Sequence, residues 1–269
     1  MSTKMFGFIG CGNMGGALAR AVSKSAEKQE IIVTDTCLEK AQQLASELSC
    51  EVGTTLSVAQ NAKYIFLGVK PQVMKSLIEE ITPVLEKRED RFILVSMAAG
   101  IKIANFNEMS GHKFPTIRIM PNTPVSVGEG MILYSLCKVI TEFEEQEFVS
   151  HLKFAGRLDK LNEELIDAGC AISGCGPAFV YMFAESMAAA GEKLGLQGEK
   201  AIEYAAQTLL GAAKLMLNSN KTPLTLRQEV CSPGGATIEG VHSLENSNLK
   251  SVVEKAINAS FNRTVELGK

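Results

Sequence analysis

The stretch from Met5 to Asp35 constrains this chain more than any other. A short apolar run, Met5–Ile9, leads into Gly10-Cys11-Gly12-Asn13-Met14-Gly15, and a helix pattern through Ala17, Leu18, Ala21 and Val22 follows at once. A second apolar run, Ile31–Thr34, ends on Asp35, twenty residues beyond Gly15. A GxGxxG alone is weak evidence. Between a strand and a helix, with an acid closing the second strand, it is the dinucleotide-binding fingerprint. Gly10 allows the tight turn, Gly12 lets the backbone approach a pyrophosphate, and the helix N-terminus favours the phosphate charge. Asp35 would accept hydrogen bonds from both ribose hydroxyls of NAD and repel the 2′-phosphate of NADP. No arginine follows within the next several residues, and the next cation is Lys40, so the expected cofactor is NADH or NADPH with NADH favoured.

The alternation continues. Tyr64–Gly68, Phe92–Ser96 and Thr116–Met120 are further apolar runs, separated by helical spacing at Leu38, Ala41, Leu44, Ala45 and Leu48, then at Val73, Leu77, Ile78, Ile81 and Leu85. Continuous apolar strands with helical crossovers imply a parallel sheet covered on both faces. Gly130–Leu136 reads as another strand and Thr141–Ala155 as a closing helix. Gly68-Val69-Lys70-Pro71, Met97-Ala98-Ala99-Gly100 and Met120-Pro121-Asn122-Thr123-Pro124 all end strands on the carboxyl edge, which lines the ligand crevice in such sheets. Small residues at Ala98–Gly100 let a flat ring approach the backbone.

After about Leu161 the strand signals vanish. Cys175–Leu196, Glu199–Leu217 and Ser247–Leu267 read as helices, and the second is apolar almost all round through Ala201, Ile202, Ala205, Leu209, Leu210 and Leu217. A helix of that kind is buried, and about a hundred residues offer few places to bury it, so a homodimer through this half is expected. The fold class is therefore α/β: an N-terminal Rossmann-like doubly wound sheet over 1–161, followed by an all-α helical dimerisation and substrate domain over 162–269.

Composition narrows the function. Twenty-seven Lys+Arg against 30 Asp+Glu leave a formal charge of −3, with no single-sign field to draw nucleic acid or an anionic membrane. Seven cysteines include no CxxC pair, and the three histidines, His112, His151 and His242, lie far apart, so neither a disulfide framework nor a metal site is expected. Free thiols point to a cytoplasmic protein. The first residues superficially resemble a signal peptide, but glycines and Asn13 interrupt the apolar run. No window approaches the roughly 20 apolar residues of a membrane span.

Ser232-Pro233-Gly234-Gly235-Ala236-Thr237 precedes a helix pattern through Ile238, Val241 and Leu244. Glycines ahead of a helix expose several N–H groups in an anion-binding nest suited to a small carboxylate, with the Thr237 hydroxyl at its mouth. Ser173-Gly174-Cys175-Gly176-Pro177-Ala178 is a second such turn. An enzyme acting on alcohols needs a proton-transfer group, yet no histidine has a catalytic context. A protonated imine accepts hydride directly and needs only a hydroxyl to orient its nitrogen. Two rivals share the scaffold. One is a β-hydroxyacid dehydrogenase with Lys193 as its proton-transfer residue; the other is a non-catalytic dinucleotide sensor, which needs no carboxylate nest.

Taken together, GFIGCGNMG at 7–15, GVKPQ at 68–72, SMAAG at 96–100, MPNTP at 120–124, SGCGPA at 173–178 and LRQEVCSPGGATIEGVHSLE at 226–245 make the chain resemble the pyrroline-5-carboxylate reductases over essentially its whole length. The resemblance implies NAD(P)H-dependent reduction of a cyclic imino acid, pyrroline-5-carboxylate, to L-proline, by dimers that often assemble into decamers. It implies that Thr237 hydrogen-bonds the ring nitrogen, and that Gly235, Ala236 and Thr237, with Ser232, hold the carboxylate. It implies that Ile9, Gly10, Cys11, Gly12, Asn13, Met14, Asp35, Val69, Lys70, Pro71, Met97, Ala98 and Ala99 hold the cofactor, with Glu163 a further substrate contact. The chain departs from the family's usual pattern at Cys175, where serine is common, at Asp35, where Ser or Asn-Arg accommodates NADPH, and at Thr55, where some members carry Asn.

Overall fold

The computed structural model describes residues 4–268, so the outer limits of the two expected domains, 1 and 269, lie outside the described residues. The strands are β1 (Lys4–Ile9), β2 (Ile31–Thr34), β3 (Glu51–Val52), β4 (Ala62–Leu67), β5 (Ile93–Ser96), β6 (Thr116–Met120), β7 (Gly130–Leu136) and β8 (Gly156–Lys160). Between and after them come α1 (Asn13–Val22), α2 (Leu38–Leu48), α3 (Thr55–Asn61), α4 (Pro71–Leu85), α5 (Ile103–Ser110), α6 (Glu142–Leu152) and α7 (Glu163–Ser173). The remaining helices are α8 (Gly176–Lys193), α9 (Gly198–Asn218), α10 (Pro223–Glu229), α11 (Ala236–Asn246) and α12 (Leu249–Leu267).

The strands form one eight-stranded sheet in the order β3-β2-β1-β4-β5-β6-β7-β8, parallel throughout except where β6 meets β7. Strand side chains alternate between the two faces. Tyr64 and Phe66 of β4 enter one core with Leu18, Leu44 and Phe148, while Ile65 and Leu67 enter the other with Met74, Ile78 and Phe106. A sheet buried on both faces needs apolar residues at every position, which is why β1, β2 and β4 read as unbroken runs. Each fully buried Phe, Leu or Ile contributes roughly 1.5–3 kcal/mol of transfer free energy. A third, smaller core joins Met120 and Leu133 to Ile166 and Cys170 of α7.

Two strands escape the sequence reading. β3 has only two residues, and β8, Gly-Arg-Leu-Asp-Lys, is a charged edge strand whose polar composition keeps the sheet from extending further. The expected helix over Thr141–Ala155 ends at Leu152 and tightens into a 3₁₀ turn over Lys153–Ala155.

By internal contacts the chain divides into a first unit of residues up to Cys175 together with Ser260 onwards, and a second of Gly176–Ala259. This division falls later than the expected boundary between 161 and 162, because α7 packs its buried face on the sheet and belongs with it. In the second unit α8 and α9 pack together through Ala188, Ala201 and Ala205. Within one chain α8 covers only one side of α9 and leaves Ile202, Leu210, Leu215 and Leu217 exposed; the burial expected of this helix is against a partner chain. The reading that no segment approaches a membrane span needs correction. Glu163–Lys193 is long and apolar enough by length and composition, although Gly174 and Cys175 separate α7 from α8 and α7 is a sheet-packing helix.

Candidate active site

β1 and β4 are neighbours in the sheet although β2 and β3 lie between them in the chain, so the strand order reverses there. Ligands of open α/β sheets bind at such a reversal, outside the carboxyl ends of the strands. The turn after β1 is held by Gly10 N–H donating to Thr34 O at 2.8 Å and by Gly68 N–H donating to Ile9 O at 2.7 Å. Gly10 has φ +105°, and a Cβ on it would meet Gly68 O at 2.5 Å, so only glycine serves. Gly12 is the N-cap of α1. No side chain caps this helix, and no atom lies within 4 Å of where a Gly12 Cβ would stand. The first-turn N–H groups of Asn13 and Met14 thus have an open approach for an anion.

Asp35 has a role that the sequence reading missed. Its Oδ2 accepts the Cys11 N–H at 2.7 Å and its Oδ1 the Cys37 N–H at 2.8 Å, so the carboxylate clasps the glycine loop to the end of β2. Cys11 points its thiol at Thr34 O, 3.4 Å away, and burial, followed by the Asp35 charge, pushes that thiol up to about 12. Val69 and Lys70 follow β4, and Lys70 is the N-cap of α4 with Pro71 at its first position, where a missing N–H costs nothing. Met97, Ala98 and Ala99 follow β5; Ala98 is buried and its N–H reaches Ser96 Oγ at 3.4 Å. The cofactor set read from the sequence thus converges on one edge of the first unit.

The Ser232–Thr237 turn lies in the second unit. Gly235 N–H donates to Ser232 O at 3.0 Å, Gly234 has φ +70°, and Gly235 caps α11 without a side-chain partner. Ser232, Ala236 and Thr237 are exposed within the chain, which leaves the first N–H groups of α11 and the Thr237 hydroxyl open. Arg227 of α10 reaches Glu245 of α11 at 2.9 Å and braces the two helices that flank the turn.

Glu163 belongs to the first unit. Its Oε1 accepts the Ile103 N–H at 2.6 Å and lies 3.6 Å from Nη1 of Arg118. Arg118, on β6, is fully buried and donates to Asp167 of α7 at 2.5 Å. Arg118 and Asp167 went unnoticed in the sequence; the signal was an arginine inside the apolar run Thr-Ile-Arg-Ile-Met. Lys193 is the last residue of α8 and is exposed. His112 pairs with Glu86 at 2.5 Å, His151 lies beside Ser25 and Phe6, and His242 is exposed. Among the described residues, no group of three or more His, Cys, Asp or Glu side chains could hold a metal ion. A groove of about 1000 Å³, lined by Lys113, Ser135, Lys138 and Lys160, lies where β6 begins and β7 ends, at the opposite edge from the glycine loop.

Comparison with known proteins agrees with this geometry. Residues 163–267 match the family described as pyrroline-5-carboxylate reductase dimerisation, and residues 5–100 match that described as NADP oxidoreductase, coenzyme F420-dependent. A pyrroline-5-carboxylate reductase of Arabidopsis thaliana is 37% identical over 268 residues, covering 98% of this chain and 95% of that protein. One from Pseudomonas aeruginosa is 35% identical over 274 residues, covering 100% and 98%. A crystal structure of Plasmodium falciparum pyrroline carboxylate reductase with NADP bound superimposes with a TM-score of 0.89 at 29% identity and covers 100% of both chains.

Proposed function

This chain belongs to the pyrroline-5-carboxylate reductase family of oxidoreductases, and from that premise we propose that it reduces the imine 1-pyrroline-5-carboxylate to L-proline, the last step of proline biosynthesis. The observation that carries the proposal is that the chain holds two binding elements, one in each unit: a glycine loop with an uncapped helix N-terminus at the strand-order reversal, and an exposed Ser232–Thr237 turn with its own uncapped helix. The first suits the pyrophosphate of a nicotinamide dinucleotide, whose hydride is what the cofactor supplies when bound. The second suits a small carboxylate.

The chain's own part is position and orientation. The backbone N–H groups of Gly235, Ala236 and Thr237, with Ser232, hold the substrate carboxylate. The Thr237 hydroxyl hydrogen-bonds the ring nitrogen and turns one face of the C=N bond to the incoming hydride. The carbon gains the hydride, the C=N double bond becomes single, and the protonated nitrogen ends as the amine, so no separate acid is needed at carbon. That accounts for an edge whose segments bring Lys70 and Cys11 but no histidine or carboxylic acid apart from Asp35. Against the β-hydroxyacid dehydrogenase reading stands the position of Lys193, exposed at the end of α8.

Asp35 favours NADH in this reading, because its carboxylate sits where a ribose 2′-phosphate would arrive and Arg is missing nearby. The helical part from 162 onward forms a homodimer, with decamers as the larger assembly, and the enzyme works in the cytoplasm. The test is to follow NADH oxidation spectroscopically with pyrroline-5-carboxylate and to repeat it with NADPH. Rapid turnover, faster at low cofactor with NADH, is expected. Equal or better efficiency with NADPH removes Asp35 as the selector, and no turnover with either cofactor overturns the reaction.

A further inference from the structure

We propose that Glu163 is a positioning residue on the cofactor side, which sets the height of the loop between β5 and α5, and that it does not touch the imino acid. The proposal rests on the reading that Met97–Ala99 meet the nicotinamide dinucleotide. That loop, residues 97–102, is tied at both ends. At its start the Ala98 N–H reaches Ser96 Oγ at 3.4 Å. At its end the Ile103 N–H donates to Glu163 Oε1 at 2.6 Å, and the Lys102 N–H donates to Asn105 Oδ1 at 2.8 Å. Between the ties Gly100 turns with φ +77°. The loop therefore hangs between β5 and the first residue of α7.

Glu163 in turn is held from below. Arg118 pairs in strand register with Ser96, the residue from which the loop departs. It is fully buried, makes a hydrogen bond to Asp167, and has Nε and Nη1 without hydrogen-bond partners among the described residues. A buried guanidinium demands negative charge around it. Asp167 supplies one carboxylate and Glu163, at 3.6 Å, a second. The Glu163 side chain, 22% exposed, is thus fixed between a buried cation and a loop N–H. A carboxylate so engaged sets the loop; a substrate contact would have to compete with both partners.

The experiment uses the full-length protein with Glu163→Ala and Glu163→Gln. Direct binding of NADH and NADPH is measured by fluorescence, beside KM for cofactor and for pyrroline-5-carboxylate. Glu163→Ala is expected to weaken both dinucleotides by roughly three- to tenfold, the scale of one lost hydrogen bond to a charged acceptor, while KM for the imino acid stays within about twofold. Glu163→Gln, which keeps an acceptor for the Ile103 N–H, is expected to recover most of the affinity; a general loss of stability would not be rescued this way. Unchanged dinucleotide binding in Glu163→Ala overturns the proposal. So does an increase confined to KM of the imino acid, or a Gln variant as weak as the Ala one. If the parent protein binds dinucleotide but leaves pyrroline-5-carboxylate unreduced, the proposed reaction fails while the binding comparison still decides the role of Glu163.

Discussion

Single side chains carry most of the chemistry assigned to this chain, and two of them separate readily by experiment. In the proposed reaction Thr237 offers one oriented hydroxyl to the substrate nitrogen. Thr237→Ala is expected to lower kcat/KM by about tenfold or more, a loss of roughly 1–3 kcal/mol, read from steady-state kinetics. Unchanged kinetics would remove it from the mechanism. The cysteines differ in another way. Burial pushes the Cys11 thiol up to about 12 and the Cys170 thiol to about 11, whereas Cys37 is exposed. The thiolate is the reactive form, so a disulfide-exchange reagent at neutral pH is expected to label Cys37 well before Cys11 or Cys170, as peptide mass mapping would show. Early labelling of Cys11 would mean that the glycine loop opens freely. Much of this scale was legible beforehand: glycines that need positive φ and an acid ending a strand announce themselves by residue type. The clasp of Asp35 on Cys11 and Cys37 did not, because a backbone N–H leaves no mark in a sequence. Nor did Arg118, since a charge inside an apolar run reads as an interruption until Asp167 and Glu163 are seen beside it.

At the scale of elements, the period of the apolar residues located most strands and helices, with ends moved by a residue or two. It failed where composition and role part company. β8 carries Arg157, Asp159 and Lys160, which suit an edge facing water and hide the strand from any apolar count. α7 merged with its surroundings because the SGCGPA turn that ends it was read only as a helix start. The join of α6 to the sheet supplies a stability test. Glu144, at the third position of α6, accepts from Arg91 Nε at 2.6 Å and Nη2 at 3.0 Å, and from the Thr141 N–H at 2.8 Å. Arg91 chiefly, with Thr141, holds its carboxyl down at about 2. A depressed carboxyl stabilises the fold above the unfolded value of 4.5, and that contribution is lost as pH falls toward 2. Glu144→Gln is expected to cost about 1–3 kcal/mol at neutral pH. In urea titrations the gap to the parent should narrow steadily below about pH 5. A gap that stays constant down to pH 3 would show that the charge contributes little.

For the whole molecule, the helical unit is the informative part. α9 shows Ile202, Leu210 and Leu217 to solvent within one chain, and the match to a dimerisation family covers this helix. Sequence period alone foresaw an apolar circumference, yet burial depends on what lies opposite, and that is beyond any single chain's pattern. The parent is expected to sediment as a dimer or larger species, and Leu210→Glu as a monomer with little activity, since a charge in an apolar contact carries its full desolvation cost. A monomeric variant with full activity would separate assembly from catalysis. The first unit has its own peculiarity. Its last segment comes from beyond the helical unit: buried Thr264 and half-buried Gly268 lie against the Gly100 turn so closely that a Cβ on Gly100 would meet Thr264 O at 2.6 Å. A chain emerging from the ribosome can close its doubly wound sheet early, but it can brace the loop over residues 97–102 only after residues 260–268 have been made. Nascent chains stalled before residue 260 should therefore possess a folded sheet and a glycine loop yet grip dinucleotide poorly, so that the whole helical unit must be synthesised before this loop is braced.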